Sequence, residues 1–250
     1  MSRPGPSAPP GPLLRPVATP PAAGRPAGLP YATWPLSRTL WGLFAGLMLG
    51  AVVLPVPVAL ADPGLDTYAG LIAAQALLGA AFLGTALFIA REGDGISAAL
   101  SRLGARRFTP RAIGLVALAY FAYFVGLALY ASLVVTPEQQ DIARDLGLDS
   151  GTLAAAFSVL LIGGLAPVAE ELFFRGMLFG GLRLYVPFLP AALISGAVFG
   201  SLHLTTGASA VPPLILFGFL LAWVYERSGS IWPAVILHAI NNNLALAVST

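Results

Sequence analysis

The stretch that decides the fold is "VAEELFFRGMLFG", residues 168–180, in which two adjacent glutamates and an arginine interrupt an otherwise apolar run. A charge near the centre of a membrane helix costs at least ~2.5–3.5 kcal/mol on insertion scales. Glu171 and Arg175 are four residues apart, so on a helix they can pair on one face and offset part of that cost. Glu170 points about 100° away from Glu171, which leaves it free to face a different cavity.

The composition around this stretch is that of a membrane protein. Of 250 residues, 57% are hydrophobic and 10% charged, and the mean hydropathy is +0.83. A soluble domain carries about 25% charged residues, so this chain cannot cover its apolar surface with polar groups. We therefore expect an integral membrane protein in contact with lipid. The chain has no cysteine, which excludes disulfides and thiolate chemistry.

Seven apolar spans suggest membrane helices, since backbone hydrogen bonds in lipid must be satisfied within the segment, although the shorter late spans are marginal unless they pack against neighbours. The segment 170–186 could continue the preceding helix, lie in the interface, or make an eighth short crossing. The predicted fold class is thus an all-α polytopic membrane bundle of seven or eight helices. The spans are 39–61, 68–90, 112–135, 152–169, 187–204, 211–226 and 231–248.

Three regions are predicted along the chain. Residues 1–36 hold eleven of the twenty-two prolines and are interpreted as a disordered proline-rich tail. Residues 37–149 are expected to form three transmembrane helices with a cytoplasmic loop. Residues 150–250 are expected to form the transmembrane core that carries the chemistry.

The basic residues predict the orientation. All thirteen are arginine, and nine of them lie before or at the start of the first span and in the 91–111 loop. The positive-inside rule places the N-terminus and this loop in the cytoplasm. Because these arginines act as topology markers, no nucleic-acid partner is expected. The absence of lysine, with much Ala, Gly, Arg and Pro, is typical of a bacterial protein, so the bacterial plasma membrane is the expected location.

The remaining polar groups of the second half suit hydrolysis of an amide. They are His203 in "VFGSLHL", and His238 and Asn242 in "LHAINNN". A glutamate near a histidine can take a proton from water, while a second histidine and an asparagine amide donate hydrogen bonds to the oxyanion, at ~2.7–4 kcal/mol per donor. Alternatively, Glu170, His203 and His238 could ligate Zn²⁺ and leave a fourth position for water.

Each of these groups also has a structural interpretation. The Glu171–Arg175 pair could simply lock a helix, and a lone His203 could be a packed core histidine. Asn241 and Asn243 could be amides seeking the interface at a helix end. Phe199, four residues before His203, could be core packing. The functional prediction therefore depends on all the groups occurring together.

Three motifs appear in order over residues 170–242, and together they resemble those of a known protein family. The family is the CPBP intramembrane proteases, also called the CAAX prenyl protease type II or Abi family, which includes bacteriocin self-immunity proteins. The resemblance covers roughly residues 150–248. The motifs are Glu170-Glu171-x-x-x-Arg175, Phe199-x-x-x-His203 and His238-x-x-x-Asn242.

The resemblance implies a role for each motif residue. Glu170 would activate water together with His203. His238 and Asn242 would form the oxyanion site. Glu171 and Arg175 would support these groups. Whether the site binds zinc or works as a metal-free glutamate protease stays open, although no His-Glu-x-x-His motif is present.

The leading hypothesis is an intramembrane endopeptidase acting on a membrane-anchored peptide or protein. A proton- or ion-coupled transporter is the alternative from another class, and a catalytically idle scaffold or bacteriocin-immunity factor is a third. A transporter built from repeats would carry paired polar sites in both halves. Here the polar groups lie in one half only, which favours the enzyme. Nothing in the sequence indicates a prenyl-binding groove.

Overall fold

The computed structural model describes residues 32–63, 67–134, 152–204 and 207–248. Within these ranges all regular secondary structure is helical, which confirms the all-α prediction. The helices are α1 (Leu36–Ala61), α2 (Tyr68–Arg91), α3 (Ile96–Arg102), α4 (Arg111–Leu133), α5 (152–182), α6 (Phe188–Ser201), α7 (Val211–Ser228) and α8 (Ile231–Val248).

Five of the described helices are long and apolar enough to cross a membrane. They are α1, α2, α4, most of α5 (Ala156–Leu182), and α7 together with the short turn that precedes it. Helix α6 is apolar but shorter. The chain is thus an integral membrane protein, whereas the predicted number of seven or eight crossings stays a prediction.

Contacts between distant segments define one end of the bundle, which we call the arginine end (residues 91–111, 183–187 and 226–230). Here the Ser230 hydroxyl donates to the Arg106 carbonyl oxygen (2.6 Å), and Arg183 pairs with Glu226. The backbone N–H of Leu36 donates to a hydroxyl in the same region (3.2 Å). Helices α5 and α7 therefore run towards this end, and α6 and α8 run away from it. Its assignment to the cytoplasm stays a prediction.

The course of α5 selects one of the three alternatives for the segment 170–186 and extends the predicted span 152–169. The helix does not end before the glutamate pair but continues to Leu182, so residues 170–182 extend the preceding helix. Hydropathy alone placed the boundary too early because the charges lower the local average. Their cost is offset by the Glu171–Arg175 pair within α5 and by contacts to α7 and α8. Glu170 consequently lies about 12 residues, or roughly 18 Å, from the Leu182 end, well inside the bundle.

Two π-helical segments, Leu161–Leu165 and Leu172–Phe179, flank the glutamate pair in α5. Isolated π-helical turns are rare in proteins overall. Those that do occur are often found at functional sites, because the wider turn changes the direction of the side chains around it. The whole stretch 171–183 is buried, which is unusual for a stretch that contains two arginines. Helix α5 is therefore the central helix on which the other elements pack.

Pro167 explains how α5 joins α8. A proline has no N–H to donate to the carbonyls four and five residues earlier, which are those of Gly163 and Ile162. The Nδ2 of Asn242 donates to the Ile162 oxygen, and the Nδ2 of Asn243 donates to the Gly163 oxygen, each at 3.0 Å. Side chains of α8 thus satisfy backbone acceptors that Pro167 cannot serve.

The N-terminal helices share one hydrophobic core with the second half of the chain. The rings of Phe82 on α2 and Phe173 on α5 are stacked with centroids 4.4 Å apart. Trp34 is fully buried, and its Nε1 donates to Thr39 Oγ1 at 3.0 Å. Residues 32–36 of the predicted 1–36 tail are therefore packed on the bundle, while residues 1–31 lie outside the described residues.

Helices α6 and α7 approach closely through two glycines. A Cβ built on Gly218 would lie 2.7 Å from the Cα of Gly196, closer than real Cβ atoms come. The backbone of α7 can therefore lie against α6, and the Gly218 carbonyl comes within reach of α5. This approach positions one acceptor of the site described next.

Candidate active site

The predicted pair between Glu171 and Arg175 is confirmed. The Nη1 atom of Arg175 lies 2.8 Å from Glu171 Oε1, and both side chains are fully buried. The Nη2 atom of the same arginine donates to the Gly218 carbonyl oxygen at 3.1 Å. Because the two charges neutralise one another, α5 can carry them through the interior of the bundle.

His238 lies between the two glutamates. Its Nδ1 is 2.9 Å from Glu171 Oε1, and its Nε2 is 3.8 Å from Glu170 Oε2. The rings of Phe199 and Phe217 contact it edge-on, with centroids at 5.5 and 5.7 Å. When Nδ1 donates its proton to Glu171, the neutral ring has an acceptor nitrogen facing Glu170. Glu171 therefore fixes the orientation of the ring that Glu170 faces.

Glu170 is the less constrained carboxylate of the pair. Its side chain is 14% exposed, whereas that of Glu171 is fully buried. Among the described residues it has no hydrogen-bond partner, and its 3.8 Å separation from His238 is too long for a direct hydrogen bond. A polar separation of this size suits a bridging water molecule. The prediction that Glu170 and Glu171 serve different environments agrees with this arrangement.

Phe199 links the two histidines. The ring of His203 lies 5.2 Å from the Phe199 ring, which also contacts His238. The Nδ1 of His203 is 3.1 Å from the carbonyl oxygen of Phe199, one helical turn earlier. The guanidinium of Arg175 lies over the same ring, 4.6 Å from its centroid. Phe199 is thus a packing surface for three polar groups of the site.

Asn242 follows His238 by one turn on α8, and one of its N–H groups is used by the Ile162 carbonyl. A side-chain amide has a second N–H, so this contact leaves one donor for a ligand. Asn243 donates to Gly163 and also to the carbonyl of Ala239 (2.7 Å). The sequence interpretation of Asn243 as an interface-seeking amide missed this structural role.

The zinc alternative predicts Glu170, His203 and His238 as ligands. No three His, Asp or Glu side chains are placed to hold a metal ion in the described parts of the chain. The Nδ1 of His238 is taken by Glu171, and only its Nε2 faces Glu170. A zinc ion held by Glu170, His203 and His238 therefore stays a prediction.

Two contributors were not found by sequence reasoning. Phe217 packs against His238 but belongs to an ordinary apolar run, "LILFGFL". Gly218 contributes a backbone carbonyl, which no side-chain pattern marks. The only available signal was the glycine itself, which allows a close helix approach.

Comparison with known proteins identifies the segment that carries these residues. Residues 152–244 match the model of the family described as "Type II CAAX prenyl endopeptidase Rce1-like". The resemblance inferred from the three motifs is confirmed for this segment. The Rce1-like segment includes α5 to α7 and most of α8, and with them every candidate site residue.

Two curated relatives are similar to this chain. The Bacillus subtilis (strain 168) protein named "Putative membrane peptidase YdiL" is 29% identical over 96 residues, which cover 37% of each chain. The Lactococcus lactis subsp. lactis (strain IL1403) "UPF0177 protein YxdF" is 25% identical over 135 residues, covering 53% of this chain and 73% of the relative. The chain therefore spans little more than a third of the first relative. No solved structure matches it significantly.

Proposed function

We propose that this protein is an intramembrane endopeptidase that hydrolyses a peptide bond in a membrane-anchored peptide or protein. One observation carries the proposal: Glu171 occupies one nitrogen of His238 at 2.9 Å, while Glu170 faces the other at 3.8 Å without bonding to it. One carboxylate orients the ring, and the other is left available for chemistry. The match of residues 152–244 to a prenyl endopeptidase family supports the same reaction class.

In the proposed reaction a water molecule lies beside the Glu170–His238 contact and donates a hydrogen bond to the Glu170 carboxylate. Glu170 takes one proton from it, and the oxygen attacks the carbonyl carbon of the scissile bond. The tetrahedral oxyanion then collapses, the C–N bond breaks, and Glu170 returns the proton to the leaving nitrogen. General acid–base catalysis of this kind contributes about 10²–10⁴-fold.

The other motif residues have supporting roles in this proposal. The second N–H of Asn242 donates to the oxyanion, a contribution of about 2.7–4 kcal/mol for one such donor. His203, whose ring lies 5.2 Å from that of Phe199, assists Glu170 in activating the water. Arg175 holds Glu171 in place, so that the His238 ring keeps its orientation.

The test uses the full-length purified protein in proteoliposomes with a library of membrane-anchored peptides, prenylated and unprenylated. We expect Glu170→Gln to lower kcat about 10²–10⁴-fold with little effect on folding, because its carboxylate bonds to no described residue. Glu92→Gln is the matched control, since Glu92 lies at the arginine end, where it pairs with Arg38 and Arg102 and accepts from Thr33. Its turnover should equal that of the wild type.

Equal turnover in wild type and Glu170→Gln would overturn the proposed role of Glu170. Proton-coupled flux into the vesicles, abolished by Glu170→Gln in the absence of any cleavage, would establish the transporter instead. Metal analysis of the active preparation distinguishes the two hydrolytic schemes. A stoichiometric metal lost with His203→Ala or His238→Ala supports zinc, and full activity after chelation supports the metal-free route.

A further inference from the structure

We propose that the arginine end contains a binding site for the phosphate-bearing headgroup of an anionic phospholipid, formed by Arg107, Arg111 and Arg227. The site is separate from the glutamate–histidine cluster. It can be tested by binding alone, so it does not depend on the proposed hydrolysis.

The site is an open cavity of about 440 Å³ between the loop that precedes α4 and the end of α7. Arg106, Arg107, Arg111 and Arg227 line it, and its lining contains no aspartate or glutamate. An adjoining cavity of about 450 Å³ shares two of these arginines and adds Trp232. The two cavities together form a basic recess with an aromatic border.

Two other arginines at this end, Arg102 and Arg183, have carboxylate partners. Arg102 pairs with Asp94. Arg183 and Glu226 form a buried pair at 2.8 Å. The nearby acidic groups are therefore already used by arginines outside the recess.

The three arginines of the proposed site have no carboxylate partner among the described residues. Arg107 and Arg111 form no hydrogen bond or ion pair with any described residue, and both are exposed. Arg227 likewise forms no hydrogen bond or ion pair with any described residue, and its guanidinium lies 5.9 Å from the centroid of the Trp223 ring. Three uncompensated guanidinium groups around one cavity repel each other, and an anion between them would relieve that repulsion.

The position of Arg111 gives a second argument. It is the first residue of α4, where the helix dipole disfavours a positive charge. Helix stability therefore gives no reason for an arginine at this place. An anion bound in front of the helix would be favoured both by the dipole and by the guanidinium.

Backbone contacts hold the recess in shape. The Ser230 hydroxyl donates to the Arg106 carbonyl oxygen (2.6 Å). The backbone N–H of Ile231 donates to the Gly104 carbonyl oxygen (2.8 Å). The Nε of Arg106 donates to the Ser101 carbonyl oxygen at 3.1 Å. The loop before α4 is thereby fixed to the turn between α7 and α8, so the arginines are presented from a rigid frame.

Location favours a lipid headgroup over a free anion. Arg111 begins one membrane-length helix and Arg227 lies in the last turn of another, so the recess lies at the depth of the headgroups. Trp232 is 38% exposed beside it, as is typical of the membrane interface. Basic pockets between transmembrane helices bind anionic headgroups, and guanidinium groups bind phosphate with two parallel hydrogen bonds.

The experiment measures lipid binding to the full-length protein in detergent, by native mass spectrometry and by thermal unfolding. Phosphatidylglycerol is titrated against phosphatidylcholine, with inorganic phosphate as a separate arm. We expect phosphatidylglycerol alone to bind and to raise the Tm, and each of Arg107→Gln, Arg111→Gln and Arg227→Gln to weaken its apparent affinity about fivefold. Arg91→Gln, an exposed arginine outside the recess, is the matched control and should bind like the wild type.

The outcomes separate the possible ligands. Equal binding of the two lipids by the wild type, or unchanged phosphatidylglycerol binding in all three variants, would overturn the proposal. An equal Tm increase with inorganic phosphate at the same concentration would assign the recess to a free anion and reject the lipid. Arg107 lies in an exposed loop, so its variant should fold even where a variant in a helix does not.

Discussion

Two buried glutamate–arginine pairs in this bundle differ in how completely they are satisfied. Arg183 binds Glu226 through both Nη2 (2.8 Å) and Nε (3.3 Å), and its Nη1 donates to the Val186 carbonyl oxygen (3.0 Å). In the other pair, Glu171 and Arg175 share one contact of 2.8 Å, and the buried atoms Glu171 Oε2 and Arg175 Nε have no partner among the described residues.

The difference indicates a structural role for the Arg183–Glu226 pair and a functional role for the Glu171–Arg175 pair. A pair that joins two helices with all its polar atoms bonded stabilises the fold and has no capacity for a ligand. The Glu171–Arg175 pair shares one carboxylate oxygen with His238 and retains polar atoms that are costly to leave unpaired. Buried unpaired groups of this kind are expected where a site is poised to bind or react.

The largest effect on stability is expected from breaking the saturated pair. Glu226→Ala leaves the Arg183 guanidinium buried and unpaired, so we expect the free energy of unfolding to fall by about 3–5 kcal/mol, measured by equilibrium unfolding in mixed micelles. The double variant Glu226→Leu/Arg183→Met removes both charges and should recover most of this loss. A single variant as stable as the wild type would contradict the structural role of the pair.

The corresponding single and double substitutions in the Glu171–Arg175 pair should give a different result for activity. Glu171→Leu/Arg175→Met should also recover stability relative to Glu171→Ala, because no charge is left unpaired. Its kcat should nevertheless be lower by about 10²-fold or more, since His238 loses the acceptor that orients it. The matched double variant at Glu226 and Arg183 should keep its activity. Equal activity in both double variants would remove the distinction.

A smaller effect is expected where α6 and α7 approach each other. The Cβ of Gly218→Ala would meet the backbone of Gly196 at 2.7 Å and the Nη2 of Arg175 at 3.2 Å. Backbone atoms cannot move aside alone, so we expect a loss of about 1–3 kcal/mol together with a lower kcat. Gly114→Ala on α4 is the control, since its Cβ would have no neighbour within 4 Å. Equal losses at both glycines would mean that the close approach is unimportant.

The smallest effect concerns the link between α8 and α5. Asn243→Ala removes the donor to Gly163, and we expect a loss of about 1–2 kcal/mol in the free energy of unfolding. In a Pro167→Ala background the restored N–H can serve the freed acceptor, so the same substitution should cost less there. Asn241→Ala, which breaks no hydrogen bond to the described residues, should stay within about 0.5 kcal/mol of the wild type. Identical losses in both backgrounds would refute the link to Pro167.

Much of the fold could be predicted because it depends on local properties. Apolar length indicated the long helices, and the spacing of four residues indicated the Glu171–Arg175 pair. The end of α5 was left open because the average hydropathy falls at its charges, and the contacts to α7 and α8 that help to offset them have no local signal. Trp34 was assigned to the tail because prolines surround it, while its burial depends on a pocket formed far along the chain.

For the site, the sequence motifs predicted which residues take part but not which residues each of them contacts. That Glu171, rather than Glu170, is bonded to His238 depends on the relative rotation of α5 and α8, which spacing within each helix does not determine. The pair of Arg183 with Glu226 is separated by 43 residues and has no local signal. The role of Asn243 became visible only with Pro167, whose missing N–H creates the need for a donor.

That proline also determines how α5 responds to force. In an uninterrupted helix, bending must stretch backbone hydrogen bonds that belong to the helix itself. At residues 161–167 the resistance comes partly from two asparagine amides on a neighbour, so the stiffness of α5 at this point is set by α8. A displacement of α8 along its axis would therefore change the curvature of α5 at residues 161–167, just before the glutamates. The two helices would then bend together.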